Sequence, residues 1–358
     1  MKVLVRVDSG KLHSAGHLLR SLNLAREFAR QGAEVCFLTK NYPNHFNSFI
    51  DKKFDVILLD QALSEDSFDD EDYSTWNDES DEQEFNRINS LIKDKGFTHL
   101  IVDHYGISSL FDQMISEHSD VTYISIDDLE RTHTCDILIN QNYGIEKDFY
   151  HNSVCKKLLL GPKYSLIDVS FAEARLKVLP RTVISKILIF FGGSDKSCET
   201  NKVFQAIKNN PNLKYTYTFI IPKHHIDYNR LVLESKSIDS INIVTPVKEF
   251  ASFMSNFDLM FCASGATNWE RCCLGIPAFS VVTADNQVVI AENLTRGGYS
   301  INLGSGFITS STDWEEVILS LSEKESELIK MSSKCFNLAD GTGCKNILTE
   351  LFSLQHSS

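Results

Sequence analysis

Three features are missing from this chain of 358 residues, and each absence excludes a class of protein. No apolar run reaches the length of a transmembrane helix, so no membrane span is expected. The short apolar run at the N-terminus leads directly into the fold and does not match a signal peptide. The nine cysteines include no CxxC pair, so neither a zinc knuckle nor a disulfide framework is predicted. A reducing, cytoplasmic setting is therefore expected.

Basic residues form no stripe or cluster, which argues against nucleic acid as a partner. The net charge is −13, and residues 60–84 carry most of it, with twelve acids and no Lys or Arg. We interpret this acidic segment as a solvated loop that runs into a helix. A docking site for a protein partner is the alternative, but nothing in the segment specifies one, and its role stays open.

Short runs rich in Val, Ile and Leu alternate with amphipathic stretches along the whole chain. This pattern is typical of α/β proteins with parallel sheets covered on both faces. Six strands are predicted before residue 141, and residues 156–167 are interpreted as a crossing into a second domain. The pattern predicts two doubly wound Rossmann-like domains, residues 1–165 and 183–358, that face a cleft. For the last helix, packing back on the first domain is left open as an alternative.

The turn after the first strand contains Gly16 and His17. Because ligands of doubly wound sheets bind at the carboxyl ends of strands, this turn is expected to face a ligand. A helix N-terminus disfavours the imidazolium form, so a neutral His17 could accept a proton from water as a general base. The alternative is a histidine that only caps or packs the loop.

Polar residues also end other strands of the first half. The fourth strand ends in "DHY", Asp103 to Tyr105, which could serve a ligand or only satisfy backbone groups. The fifth ends in Asp127 and Asp128. Neighbouring residues of an extended chain point to opposite faces, so we predict that one of the two caps a helix rather than that both catalyse.

Two turns of the second half suit phosphate groups. Gly192 and Gly193 form one turn, and small residues from Ser264 to Thr267 precede a helix in the other, where backbone N–H groups can hold a phosphate. Glu270 follows at a distance from which a carboxylate can accept both hydroxyls of a ribose. Neither a Walker loop nor a GxGxxG motif is present. The two turns and the possible base suggest a nucleotide-sugar enzyme.

Short motifs in a fixed order then indicate a family. They are R-x-D at 6–8, G-H-x-x-R at 16–20, "DHYG" at 103–106, "IDD" at 126–128, S-G-A-T-x-x-E at 264–270 and "DNQ" at 285–287. In these the chain resembles the UDP-2,4-diacetamido-2,4,6-trideoxy-β-L-altropyranose hydrolases of pseudaminic acid biosynthesis. That family usually has I-G-x-G-H in the first turn, whereas this chain has His13 and Ser14 there.

The resemblance implies a GT-B-like fold and a reaction in which water attacks the anomeric carbon with inversion and UDP leaves. It implies a monomer and a small-molecule UDP-sugar substrate, with no cofactor and no metal, since backbone donors can stabilise the diphosphate. It assigns catalytic roles to His17, Tyr105 and Asn286. The substrate-binding and UDP-binding residues would be Asp8, Gly16, Arg20, Asp103, Gly192, Gly193, Ser264, Gly265, Ala266, Thr267, Glu270 and Gln287. A glycosyltransferase of the same fold and a non-catalytic nucleotide-sugar binding protein are the alternatives.

Overall fold

The computed structural model describes residues 1–10, 15–42, 45–60, 69, 72–193, 195–211, 213–245 and 247–355. The chain divides into two compact units. Met1–Ile167 and the C-terminal residues from Thr342 form the first, and Asp168–Gly341 forms the second. Each unit is built on a parallel sheet, which confirms the predicted fold class of two doubly wound α/β domains. None of the described helices is long and apolar enough to cross a membrane.

In its described residues the first unit has a seven-stranded sheet. The strands are β1 (Lys2–Val7), β2 (Glu34–Lys40), β3 (Asp55–Leu59), β4 (His99–Asp103), β5 (Thr122–Ile126), β6 (Thr134–Asn140) and β7 (Val154–Leu160). Their order is β3-β2-β1-β4-β5-β6-β7, and all neighbours are parallel. The helices of this part of the chain are α1 (Gly16–Arg30), α2 (Asp81–Lys95) and α3 (Ser109–His118).

Strand β7 corrects the prediction that residues 156–167 only cross between domains. Lys157, Leu158 and Leu159 pair with β6 in parallel register. The strand lies at the edge of the sheet and only Leu159 is fully enclosed, so its sequence lacks the continuous apolar run that marks the central strands.

The second unit has a six-stranded sheet within the described ranges. Its strands are β8 (Lys186–Phe190), β9 (Thr216–Ile220), β10 (Ile241–Val244), β11 (Leu259–Ala263), β12 (Ala278–Val282) and β13 (Ile301–Ser305). Their order is β10-β9-β8-β11-β12-β13. The remaining helices are α4 (Val169–Arg175), α5 (Glu199–Asn209), α6 (Tyr228–Ser235), α7 (Phe250–Met254), α8 (Thr267–Cys273), α9 (Val288–Arg296), α10 (Ser311–Leu338) and α11 (Gly343–Gln355).

The C-terminal helix α11 belongs to the first unit. Its apolar face, with Ile347 and Leu351 fully buried, shares a core with Leu18 and Leu22 of α1. The break before it follows from tight packing, because a Cβ on Gly343 would lie 2.1 Å from the carbonyl oxygen of Ser165. Only glycine fits at this point, so "DGTG" ends α10 and starts α11 against the first unit.

A buried histidine ties the ends of β5 and β6 to α3. His133 is 4% exposed, and its two ring nitrogens lie 2.8 Å from an oxygen of Asp112 and 2.7 Å from an oxygen of Asp127. Burial alone would lower the pKa of His133, but the two carboxylates raise it to about 9. His133 is therefore an imidazolium held between two carboxylates at neutral pH.

This arrangement predicts a loss of stability at alkaline pH. A folded-state pKa above the ordinary value of about 6.5 contributes stability that is complete below pH 6.5 and lost as the pH rises through about 9. The shift corresponds to roughly 3 kcal/mol. Urea unfolding of His133→Asn should show a deficit against wild type at pH 6 that shrinks by about this amount at pH 10. The control His118→Asn alters an exposed side chain; a deficit for His133→Asn that is constant with pH would contradict the imidazolium assignment.

Candidate functional site

In each sheet, as far as the structure describes it, the strand order reverses at one place, and several of the predicted residues follow the strands there. In the first unit the reversal lies between β1 and β4, and in the second between β8 and β11. The helices that follow such a pair of strands leave in opposite directions, which opens a crevice at the carboxyl ends of the strands. His17 and Asp103 lie beyond one pair, while Gly192 and Ser264 lie beyond the other.

In the first unit the centre of the site is the buried carboxylate of Asp103, at the end of β4. Its Oδ1 lies 2.6 Å from His17 Nδ1 and 2.7 Å from Arg20 Nη2. Its Oδ2 accepts hydrogen bonds from Arg20 Nε at 2.7 Å and from Ser21 Oγ at 3.0 Å. Burial opposes ionisation, but the guanidinium of Arg20 and the ring of His17 hold the pKa of Asp103 well below its usual range.

This carboxylate determines which nitrogen of His17 carries the proton. An ionised carboxylate can only accept, so the 2.6 Å contact requires a proton on Nδ1. In the neutral ring the lone pair is then on Nε2, and the described residues offer Nε2 no hydrogen-bond partner. The imidazole is thus oriented by one acid and presents a basic nitrogen to a ligand or a water molecule.

Asp128 extends the same network and was not among the predicted site residues. Its Oδ2 accepts hydrogen bonds from Arg20 Nη1 and, at 2.8 Å, from the hydroxyl of Tyr105. Its Oδ1 accepts from Asn142 Nδ2 at 3.0 Å. The Tyr105 ring meets the His17 ring edge to face at a centroid distance of 4.4 Å. Arg20 therefore joins the two carboxylates, and Asp128 positions the phenol beside the imidazole.

The two neighbouring aspartates do diverge, but neither caps a helix. Asp127 accepts a hydrogen bond from the backbone N–H of Leu129 in a turn and binds Arg131 and His133. Burial alone would raise the pKa of Asp127, but Arg131 and His133 lower it to about 2. The signal for Asp128 was present in the sequence, as a second acid directly after a strand. Its partners come from α1 and β4, so local sequence could not identify them.

Asp8 belongs to a second buried network behind this site. Its carboxylate contacts Arg6 Nη1 at 2.6 Å, the backbone N–H of Lys40 at 2.7 Å and His104 Nε2 at 3.0 Å. Arg6 in turn binds Glu84. Because Asp8 is 1% exposed, its contacts in this structure are with protein groups at the base of the first turn.

The described end of the acidic segment is not solvated as expected. Glu84 is fully buried against Arg6, and Asp78 forms an ion pair with the buried Lys40. The predicted helix is confirmed as α2. Residues 61–68, 70 and 71, on which most of the predicted loop falls, lie outside the described residues.

The same segment brings aromatic rings to Tyr105. The centroids of Tyr73 and Trp76 lie 5.0 Å and 5.8 Å from that of Tyr105. A Cβ on Gly106 would be 2.6 Å from the backbone nitrogen of Asn77, so the segment is pressed against the turn after β4. Tyr73 and Trp76 were not predicted as site residues, because they lie about 30 residues before Tyr105.

In the second unit, the two predicted phosphate turns follow neighbouring strands. Phe190 of β8 pairs with Cys262 of β11, so both turns leave the same edge of the sheet. Gly192 has φ +90°, and a Cβ on Gly192 or Gly193 would meet nothing within 4 Å, so this turn is open. Ser264 is fully buried and its Oγ lacks a hydrogen-bond partner among the described residues.

Small residues leave the turn after β11 accessible from its backbone side. Gly265, Ala266 and Thr267 lead into α8. The N–H groups of Asn268 and Trp269 already bond to the carbonyls of Gly265 and Ala266, whereas those of the three small residues have no backbone partner among the described residues. Gln287 accepts two hydrogen bonds from Thr283 through Oε1. Its Nε2 lies 3.7 Å from the place of a Cβ on Gly265, so Gln287 borders the turn. Asn286 is in the same short helical turn, Asp285–Gln287.

Glu270 lies in the first turn of α8 with a carboxyl group that the described residues leave without a hydrogen bond or ion pair. Burial, together with the negative charge of Asp168, raises the pKa of Glu270 to about 8. A carboxyl group held in this state is poised to ionise when hydrogen-bond donors arrive.

The sequence also singled out the first turn and implied that no metal is bound. Gly16 is the first residue of α1, whereas His13 and Ser14, the departures from the family pattern, lie outside the described residues. Among the described side chains no group of three or more His, Cys, Asp or Glu could hold a metal ion.

Comparison with known proteins finds relatives at modest identity. No family model matches the chain. The chain is 25% identical over 303 residues to the UDP-2,4-diacetamido-2,4,6-trideoxy-β-L-altropyranose hydrolase of Campylobacter jejuni, covering 84% of this chain and 98% of that protein. It is 21% identical over 311 residues to the spore coat polysaccharide biosynthesis protein SpsG of Bacillus subtilis, covering 86% and 84%. The chain is therefore similar, at modest identity, to a UDP-sugar hydrolase and to a polysaccharide biosynthesis protein.

Solved structures share the fold over nearly the whole chain. MurG of Acinetobacter baumannii aligns with a TM-score of 0.66 and 12% identity over 98% of this chain and 99% of that one. The glycosyltransferase VinC, solved in complex with dTDP, aligns with a TM-score of 0.62 and 12% identity over the full length of both. The fold is GT-B-like, as the sequence resemblance implied.

Proposed function

We propose that this protein is an enzyme that hydrolyses a UDP-linked 2,4-diacetamido-2,4,6-trideoxy sugar to UDP and the free sugar, in pseudaminic acid biosynthesis. The observation that carries the proposal is the pair formed by Asp103 and His17, in which the second imidazole nitrogen has no partner among the described residues and lies at the strand-order reversal. The similarity to the Campylobacter hydrolase supports the substrate class.

His17 is the general base of the proposed reaction. Its Nε2 takes a proton from water while the water oxygen attacks the anomeric carbon. The bond from that carbon to the phosphate oxygen breaks, and UDP leaves with the electron pair. Attack opposite the leaving group inverts the anomeric centre. The buried charge of Asp103 stabilises the imidazolium that forms, and Arg20 keeps Asp103 ionised.

The second unit supplies the nucleotide contacts in this proposal. The backbone N–H groups from Gly265 to Thr267 and the Oγ of Ser264 hold the diphosphate and stabilise its developing charge. The open turn at Gly192 and Gly193 allows close approach of the nucleotide. Glu270 accepts the ribose hydroxyls. Gln287 borders the diphosphate turn, and Asn286 orients the sugar.

Aromatic rings fit the substituents of the proposed sugar. Tyr105 positions the sugar beside His17, and the ring of Tyr73 packs at a tilt against that of Tyr105. The C6 methyl group of a trideoxy sugar and the methyl groups of two acetamido substituents give such rings apolar surface to cover. Asp8 and Asp128 act as positioning residues, the first through the base of the turn and the second through Tyr105.

The first prediction concerns turnover. The wild-type protein, supplied with the diacetamido-trideoxy-altrose donor and a metal chelator but no acceptor, should release UDP. His17→Asn should lower kcat by about 10²- to 10⁴-fold, the usual contribution of a general base. The control His118→Asn should not change it, because that side chain is exposed on α3.

Three results would redirect the proposal. Full turnover in His17→Asn would remove His17 from the chemistry. UDP binding without UDP release from any donor would favour a glycosyltransferase that awaits its acceptor alcohol. Donor binding without turnover under either condition would favour a non-catalytic binding protein.

The second prediction concerns the ribose. Because Glu270 titrates near pH 8 without ligand, and only the ionised carboxylate accepts two hydroxyls, UDP affinity should rise as the pH increases to about 8. Glu270→Gln should bind UDP roughly 10- to 100-fold more weakly, without this rise. Calorimetry with UDP and 2′-deoxy-UDP gives the test, since the 2′-deoxy ligand should lose less affinity on substitution. Equal losses for both ligands would show that Glu270 does not contact the 2′-hydroxyl.

The third prediction of the proposed function concerns the aromatic ring of Tyr73. Tyr73→Ala should lower kcat/KM for the diacetamido-trideoxy donor by about 2- to 10-fold, while Tyr73→Phe should retain it, because the ring rather than the hydroxyl covers the sugar. UDP-N-acetylglucosamine, which lacks the C6 methyl group, serves as the comparison donor. Phe307→Ala removes an aromatic side chain that is 63% exposed and serves as the control. If Tyr73→Ala weakened the binding of UDP itself as much as it lowered kcat/KM for either donor, Tyr73 would lie outside the sugar site.

A further inference from the structure

Two cysteines of the first unit meet across neighbouring strands, away from the proposed active site. Cys135 of β6 and Cys155 of β7 are directly opposite in the parallel register, and their sulfur atoms are 3.2 Å apart. Both residues lie near the start of their strands, whereas the site residues follow the carboxyl ends. The proposed hydrolysis makes no use of either thiol.

We propose that Cys135 and Cys155 are a peroxide-reactive dithiol that oxidises to a cross-strand disulfide. Neighbouring strands are about 4.8 Å apart, which lies within the Cα separations that disulfides span. The two sulfurs already touch, so small side-chain rotations bring them to bonding distance while the backbone stays in place.

The surroundings make Cys155 the attacking thiol. Either sulfur can donate in the contact between the two thiols. When Cys135 donates, this bond and the nearby charge of His133 lower the pKa of the Cys155 thiol. Cys135 is 5% exposed, and its pKa is raised by the same bond and by burial. Cys155 is partly exposed and, with Cys135, lines a cavity of about 450 Å³. Asp136 and Lys156 also line this cavity. A small hydroperoxide can therefore reach the sulfur that is better able to ionise.

The oxidation balances with one hydroperoxide. The Cys155 thiolate attacks the peroxide oxygen, the O–O bond breaks, and a sulfenic acid forms with release of one water or alcohol. The sulfur of Cys135 then attacks the Cys155 sulfur, its proton leaves with the hydroxyl group as water, and the S–S bond forms. The two thiols lose two electrons and two protons, and the peroxide is reduced.

Peptide mapping tests this directly. Trypsin cleaves after Arg131, Lys147 and Lys156, so the two cysteines fall in separate peptides, 132–147 and 148–156. After brief hydrogen peroxide treatment of the folded protein, alkylation and non-reducing digestion, these peptides should appear linked. Their combined mass should be about 2 Da below the sum of the two, and a thiol reductant should separate them. Cys198, the exposed cysteine of the second unit, should still be alkylated.

Serine variants and a second reagent complete the design. Cys155→Ser should abolish the linked peptides, and Cys135→Ser should leave Cys155 as a sulfenic acid that dimedone traps. Hydrolase turnover reports separately on the proposed function, since the dithiol plays no part in it. Three results in the oxidised wild type would each overturn the proposal, whether or not the variants fold. They are unlinked peptides, a sulfonic acid at Cys155 without a link, and a disulfide that forms first between another pair of cysteines.

Discussion

The buried carboxylate of Asp103 is the interaction on which the first unit's site depends. A carboxylate without water is costly unless charge and hydrogen bonds surround it. Arg20, His17 and Ser21 meet this requirement, and they lie three or four residues apart on one face of α1. These contacts join the first two turns of α1 to the end of β4. The same contacts select the His17 tautomer, so the bonds that stabilise the buried charge also orient the imidazole that we propose as the general base.

The two units use one topology in two different ways. At the first reversal of strand order, ionised side chains fill the carboxyl edge and orient one another. At the second reversal, glycine and other small residues leave the backbone open. Side-chain networks suit proton transfer because they can set which atom holds a proton. Bare backbone suits an anion because N–H groups carry no negative charge and can approach closely.

Several features were predictable because their causes are local. Val, Ile and Leu runs identified the central strands, since a strand buried on both faces must be apolar throughout. Edge strand β7 was missed because Lys156 and Lys157 interrupt its apolar residues; Lys156 is exposed, and Lys157 forms an ion pair with Glu350 of α11. The predicted helix cap by Asp127 or Asp128 was wrong because Asp127 binds Arg131, four residues further along the chain, and Asp128 binds Arg20 of α1, 108 residues away.

The sequence by itself determined the alternation of strands and helices, and hence two parallel sheets with glycine, histidine and acids at the carboxyl ends of strands. Those properties follow from spacing along the chain, which hydrophobic periodicity records directly. Only the tertiary structure decided that Asp103 orients His17, that Asp128 holds Tyr105 and that Tyr73 joins them. Strand order β1-β4 and the position of the segment near Trp76 bring these residues together from up to 111 positions apart. A buried carboxylate pairs with the cations and hydrogen-bond donors that lie near it in space. No local pattern in the sequence encodes those distances.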